Sequence, residues 1–303
     1  MKVETMQKKI RKLLQEKNAV LIVHYYERPE IQQIADILGD SLALSIAAAR
    51  TQADVIVFAG VHFMAETAAL VSPEKTVLLP RLEAGCPLAD MITPEQLAQA
   101  RKEHPEAAVV AYVNSTAATK ALSDICCTSA NAVKIVNSLI EYREVLMVPD
   151  GNLARYTAGL TDKKIIPWTG YCPVHHFLMP ADVERAKTLH PGAPFAAHPE
   201  CRPEVLAMAD FVGSTAGIIR FAATSPEREI ILGTEEGVIA KLKQESSDKT
   251  FIPASDTLIC KTMKMTTLED ILASLLEMKN VIRVPEEIRI PAKRAVDRML
   301  AAS

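Results

Sequence analysis

Cys86, Cys172 and Cys260 recur at separations of 86 and 88 residues, each a few positions after an apolar stretch that ends in proline: Thr76 to Pro80, Lys164 to Pro167 and Phe251 to Pro253. Three thiolates with no fourth in register suit a metal centre that keeps one position open. Zinc can be held by three cysteines but usually recruits a histidine as well, and the Cys/His pairing of a structural finger is not found. Iron-sulfur clusters prefer thiolate ligands. A 4Fe-4S cluster on three cysteines would leave one iron free as a Lewis acid toward a hydroxyl or carboxylate. The ligands are spread along the chain, not gathered in one tight loop, which favours removal of water from a bound substrate over radical initiation or electron transfer.

The same period carries other polar residues. Three apolar strands end in a polar cluster, placing His24, Tyr112 and His198 at one relative position and Tyr26, Asn114 and Glu200 two residues later. Asp36, Asp124 and Asp210 follow twelve residues after the first set, and Ser41, Ser129 and Thr215 five residues after those. The hydroxyl trio reads as the N-caps of helices, where free N–H groups and the helix dipole attract phosphate or carboxylate. Glu200 and Tyr26, equivalent positions of different repeats, make a candidate proton-transfer pair. That pair could instead be strand-end residues hydrogen-bonded to backbone.

Positioning these residues requires a threefold repeat. Each unit has about four apolar strands alternating with helical stretches, and strands that read as continuous Val/Ile/Leu runs belong to parallel sheets covered on both faces. The expected architecture is α/β: three homologous αβα sandwich domains related by a pseudo-threefold axis, with the site at the centre. Matching polar residues at carboxyl ends of strands are where ligands bind in open α/β sheets. The divisions are residues 1–84, 85–170 and 171–261, with 262–303, read as helix, short strand and helix, packing back on the first unit.

Composition narrows the function classes. The chain has 303 residues, 49% of them hydrophobic, and a formal charge of -3 without a basic run interleaved with aromatics, which argues against a nucleic-acid surface. Residues 1–15 place Ile10, Leu13 and Leu14 at helical spacing and lack a signal-peptide core, while apolar runs elsewhere stop short of the roughly 20 residues that span a bilayer. The expected location is the cytoplasm, where thiols stay reduced. Cys126, Cys127 and Cys201 fall outside the repeat set and read as core or strand-end residues. Alternatives to a cluster enzyme are a zinc-bound structural protein and an iron-sulfur sensor, though no basic helix or arm is present to serve a sensor.

Longer segments carry a family resemblance: His24-Tyr25-Tyr26, Ile34-Ala35-Asp36 with Gly39-Asp40-Ser41, Phe63-Met64-Ala65-Glu66-Thr67, Tyr112-Val113-Asn114-Ser115, Thr128 to Ala132, Gly170 to His175, and His198-Pro199-Glu200-Cys201. Together they resemble the quinolinate synthases of NAD biosynthesis, and the likeness runs over essentially the whole chain. It implies condensation of iminoaspartate (iminosuccinate) with dihydroxyacetone phosphate to quinolinate, with loss of phosphate and two waters. By the same resemblance Cys86, Cys172 and Cys260 would hold one 4Fe-4S cluster. His24, Ser41, Tyr112 with Val113 and Asn114, and Ser129 would bind substrate. So would His175, His198 with Pro199 and Glu200, and Thr215. Tyr26, Glu200, His198 and Tyr112 would be catalytic. An aspartate oxidase or dehydrogenase would supply iminoaspartate, and no nucleic acid or membrane is involved. Another 4Fe-4S-dependent dehydratase of a small dicarboxylate is the alternative. Tyr25, Tyr171 and His176 depart from residues common in the family, which touches pocket detail only.

Overall fold

A computed structural model describes residues 2–303, and its chain order follows the threefold repeat. The first unit runs α1 (Val3–Glu16), β1 (Ala19–His24), α2 (Pro29–Gln32), β2 (Ile37–Gly39), α3 (Ser41–Arg50), β3 (Val55–Ala59), α4 (His62–Val71) and β4 (Thr76–Leu78). The second runs α5 (Pro94–Glu103), β5 (Ala107–Tyr112), α6 (Ala117–Ala121), β6 (Ile125–Cys127), α7 (Ala132–Ser138), β7 (Glu144–Val148), α8 (Gly151–Ala158) and β8 (Lys164–Pro167). The third runs α9 (Pro173–His176), α10 (Pro180–Leu189), β9 (Phe195–Ala197), α11 (Pro203–Leu206), β10 (Phe211–Val212), α12 (Thr215–Thr224), β11 (Glu229–Gly233), α13 (Val238–Glu245) and β12 (Thr250–Pro253). Two helices close the chain, α14 (Leu268–Glu277) and α15 (Glu286–Ala302).

Each unit builds one four-stranded parallel sheet, in the orders β2-β1-β3-β4, β6-β5-β7-β8 and β10-β9-β11-β12, so all three share one topology. The reason lies in the strands themselves. β3 and β5 are buried at every position, as strands covered by helices on both faces must be. Helix α1 buries Met6, Ile10 and Leu14, one stripe at helical spacing, in the same cluster as Ile271, Leu272 and Leu275 of α14.

The three repeated aspartates turn out to be structural. Asp36, Asp124 and Asp210 each accept a backbone N–H of the first strand of their unit, from Leu21 at 2.8 Å, Val109 at 2.7 Å and Phe195 at 2.8 Å. Each also pairs with a cation on the helix before that strand: Arg11, Arg101 and Lys187. One carboxylate thus ties helix, strand and loop together in every unit.

The hydroxyl trio does not cap helices as its spacing suggests. The capping side chain is one residue earlier in two units, where Asp40 accepts from the Ala43 N–H and Ser214 from the Gly217 N–H, leaving Ser41 and Thr215 as first helical residues. In the second unit Asn131 captures the Thr128 N–H at 2.6 Å, and α7 starts only at Ala132. Ser129 therefore sits in a turn. At the C-terminus, α14 packs on α1, whereas α15 lies against α6 and β6 of the second unit as well as α4 of the first. Val281 makes one antiparallel bridge to Leu78 rather than a strand. Among the described residues, no helix is long and apolar enough to cross a membrane.

Candidate active site at the junction of the three sheets

The sheet registers align the three units at the carboxyl ends of their strands. Val23 pairs with Ala59, Ala111 with Val148 and Ala197 with Gly233, so the residues that follow, His24, Tyr112 and His198, leave the sheets at equivalent points. They open into one cavity of about 670 Å³. Of the residues singled out by sequence, His24, Tyr26, Ser41, Tyr112, Asn114, Ser129, His175, His198, Glu200 and Thr215 line it, together with Cys86, Cys172 and Cys260. Val113 and Pro199 do not: Val113 belongs to the hydrophobic core, and Pro199 is buried outside the lining.

The three cysteines occupy one local design. Each precedes a short helical turn, in which the residue four further on donates its N–H to the cysteine carbonyl: Asp90 to Cys86, His176 to Cys172 and Lys264 to Cys260. The N–H three residues on, from Ala89, His175 and Met263, faces each sulfur and favours the thiolate. Burial opposes this and pushes all three thiols up, Cys86 to about 12. The thiols also feel one another, since a charge on Cys260 would raise Cys86 and charges on Cys86 and Cys260 would raise Cys172. Three neighbouring half-buried thiols that resist ionisation need a positive partner to become ligands.

Two buried carboxylates hold the loops of Cys172 and Cys260. Asp150 Oδ2 accepts the Cys172 N–H at 3.1 Å while its Oδ1 accepts from Asn152 and Leu153. Glu235 Oε1 accepts the Cys260 N–H at 3.0 Å and lies 3.0 Å from Lys264 Nζ, which in turn donates to the Tyr26 carbonyl at 2.6 Å. The registers make Asp150 and Glu235 equivalent, with Val61 at that position in the first unit. Gly170, whose carbonyl accepts the Gly151 N–H, shapes the approach to Cys172. A Cβ there would stand 2.4 Å from the Pro149 carbonyl oxygen, so only glycine fits.

Beside Cys172 lies a cluster of imidazoles, phenols and one carboxylate. Glu200 Oε2 is 2.6 Å from Nδ1 of His175 and 3.4 Å from Nδ1 of His198, and the two rings stack with centroids 4.4 Å apart. Glu200 Oε1 has no hydrogen-bond partner within the protein. Burial works against the Glu200 charge, but the His198 and His175 imidazoles and the Tyr112 phenol outweigh it and hold the carboxyl below its usual range. Burial, and then the Glu200 charge, push the Tyr112 phenol well up. Burial likewise lowers His24 and His198 to about 3, so both are neutral at pH 7. Nδ1 of His24 accepts the Tyr26 N–H at 3.1 Å, which places the His24 proton on Nε2.

Cys172, His175 and Glu200 also present ligand atoms within 4.8 Å of one another, a group that could hold a metal ion. The 2.6 Å separation of Nδ1 and Oε2 argues against both binding one ion, because two ligands at zinc-type bond lengths stand roughly 3.3 Å apart. The two atoms are in close contact, while Nδ1 of His175 makes no well-directed hydrogen bond within the protein. Among the described residues Lys261 is the one Lys or Arg that lines the cavity, so hydroxyls, imidazoles and helix termini make up most of its anion-binding capacity.

Several residues at the site carry no sequence signal. Asp150, Thr234 and Glu235 act through hydrogen bonds to backbone and hydroxyl groups that no spacing rule encodes. The apolar wall of Val61, Phe63, Met64, Leu88 and Met263 is indistinguishable in sequence from core.

Comparison with known proteins shows which sequences the chain is similar to. The sequence model of the family described as "Quinolinate synthetase A protein" matches residues 8–301. A quinolinate synthase of Geobacter sp. (strain M21) is 57% identical over 298 residues, 98% of each chain. Quinolinate synthase 1 of Methanosarcina acetivorans is 57% identical over 294 residues, 97% of this chain and 96% of that one. A quinolinate synthase of Thermodesulfovibrio yellowstonii is 51% identical over 289 residues, 95% of each.

Proposed function

The chain belongs to the quinolinate synthetase A protein family, and from that premise we propose that it condenses iminoaspartate with dihydroxyacetone phosphate to quinolinate, releasing phosphate and two waters. The observation that carries the reading is the meeting of Cys86, Cys172 and Cys260, one after the last strand of each sheet, on the cavity that also holds Tyr26, Tyr112, His198 and Glu200.

The donor set fits a 4Fe-4S cluster. Three free thiols converge, each with a backbone N–H on its sulfur, and each is buried enough to need a cationic partner. Cys86, Cys172 and Cys260 would hold it, and when bound it would supply a Lewis-acidic iron with an open position.

The chain's own residues do the rest. Ser41 and Thr215 stand in the first turns of α3 and α12, where free N–H groups and the helix dipole hold phosphate or carboxylate, and Ser129 adds a hydroxyl from its turn. Neutral His24 donates Nε2–H to a substrate oxygen. Asn114, whose Oδ1 has no partner within the protein, orients the substrate. Glu200 accepts a proton through its unpartnered Oε1, steadied by His175, His198 and Tyr112. Tyr26 handles the second proton from the opposite unit. The apolar wall limits water around the labile imine.

Residues 1–84, 85–170 and 171–261 are the proposed domains, with 262–303 bridging the first and second through α14 and α15. The proposed setting is the cytoplasm, with iminoaspartate made by an aspartate oxidase or dehydrogenase.

The test is anaerobic purification with iron and sulfide assays, then incubation with oxaloacetate, ammonia and dihydroxyacetone phosphate. About four irons per chain and quinolinate formation are expected. Iron without quinolinate would overturn the reaction in favour of another dehydratase, and a colourless zinc protein would overturn the cofactor.

A further inference from the structure

Thr234 follows the last residue of β11, is fully buried and does not line the cavity, yet it touches Tyr26, one proton-handling group of the proposed reaction, and His175, which contacts the other, Glu200. Its Oγ1 lies 2.9 Å from the Tyr26 hydroxyl and 3.1 Å from Nε2 of His175. Beyond these, Tyr26 meets Thr215 Oγ1 at 2.8 Å, and the other ring nitrogen of His175 lies 2.6 Å from Glu200. A line of polar groups thus runs from Thr215 through Tyr26, Thr234 and His175 to Glu200, joining the first unit to the third.

The backbone is built to hold Thr234 there. A Cβ on Gly237 would stand 2.6 Å from the Tyr25 carbonyl oxygen and 2.8 Å from the Tyr26 Cα, so only glycine lets the turn after Thr234 lie against Tyr26. Gln32 Nε2 pins the same contact, donating to the carbonyls of Gly237, Tyr25 and Glu27. At the positions equivalent to Thr234 the other units have Gly60 and Pro149, neither with a hydroxyl.

We propose that Thr234 is a positioning residue that locks the direction of the Tyr26 O–H to the tautomer of His175, making the two ends of the site one proton-handling unit. The inference rests on the reaction proposed above. Its physical basis is that a hydroxyl has a single proton. If Thr234 donates to Nε2 of His175, the His175 proton sits on Nδ1, toward Glu200, and Tyr26 donates to Thr234. The Tyr26 oxygen then faces the cavity as an acceptor. If Thr234 donates to Tyr26 instead, Nε2–H of His175 donates to Thr234, Nδ1 is left as an acceptor for a Glu200 that has taken up a proton, and the Tyr26 proton turns to Thr215 or the cavity. The two arrangements exclude each other, so neither Tyr26 nor His175 can change its role alone.

Thr234→Val removes the hydroxyl and keeps the branched shape, while Thr234→Ser keeps the hydroxyl. The expected result is a drop of about 10- to 100-fold in kcat for the valine variant with KM within about threefold of the parent, and a serine variant within about threefold in both. Iron per chain is unchanged in each. In a double-mutant cycle, Thr234→Val combined with Tyr26→Phe loses no more than Tyr26→Phe alone, as residues acting as a unit do. Losses that multiply, a valine variant at parental kcat, or loss of iron would overturn the coupling. Should the valine variant not accumulate folded, Thr234→Ala and Thr234→Ser carry the same comparison. An unsubstituted enzyme that makes no quinolinate would overturn the reaction itself, which separates the two failures.

Discussion

Glu200 is buried at the cavity wall, lies 2.6 Å from one imidazole and 3.4 Å from another, and keeps one oxygen unpartnered within the protein. A base needs such placement: charge held in place on one side and a free lone pair on the other. Glu200→Gln preserves volume but removes both the charge and the basic oxygen. Turnover is expected to fall by about 10² to 10⁴ with iron per chain unchanged, read from parallel iron and quinolinate assays; parental turnover would take Glu200 out of the proton chemistry. The cysteines divide in the same way. Cys201 is fully buried and directs its thiol to the Gly233 carbonyl, away from the cavity, so Cys201→Ser should keep the iron that Cys86→Ser, Cys172→Ser and Cys260→Ser each lose. The reverse pattern would reassign the ligands. These residues were legible in sequence because the repeat placed them in register. Thr234, Asp150 and Glu235 were not, because the repeat positions aligned with Thr234 hold glycine and proline, and one aligned with the two acids holds valine.

At the scale of elements, the repeat showed where strands end but not which side chain does which task there. Asp36, Asp124 and Asp210 sit in the same phase as the site residues, yet they serve the strand beside them. Ser41 and Thr215 look like helix caps by spacing, but Asp40 and Ser214 take that place one residue earlier, since the cap is decided by which side chain reaches the N–H two or three residues on. This leaves the Ser41 hydroxyl for the cavity and the Thr215 hydroxyl for Tyr26. The aspartate device can be separated from catalysis. Asp124 accepts the Val109 N–H and pairs with Arg101, so Asp124→Asn weakens a charge-assisted bond and an ion pair without touching the cavity. A loss of about 1–3 kcal/mol in unfolding free energy is expected, read as a lower denaturant midpoint, with kcat per cluster unchanged. A variant with parental stability and low kcat would place Asp124 in the site after all.

At the scale of the molecule, the site exists only while the three units are docked, because the loop after each sheet's last strand brings one thiol and each unit brings its own strand-end residues. Docking buries His24 of the first unit and His198 of the third and lowers both to about 3: for His24 through burial and then the Lys264 charge, for His198 through burial and then His175. An unfolded chain returns both to about 6.5. Between these values the unfolded chain binds protons that the folded one refuses, so stability is full above about pH 6.5 and is lost as pH falls toward 3. Each imidazole contributes a slope of up to about 1.4 kcal/mol per pH unit. Anaerobic denaturant unfolding at a series of pH values from 7.5 to 5.5 should therefore show midpoints that fall below neutrality. His24→Gln, which cannot take up a proton, should make that fall shallower. Identical slopes for the two proteins would mean that His24 is not the group whose burial the docking of the units opposes.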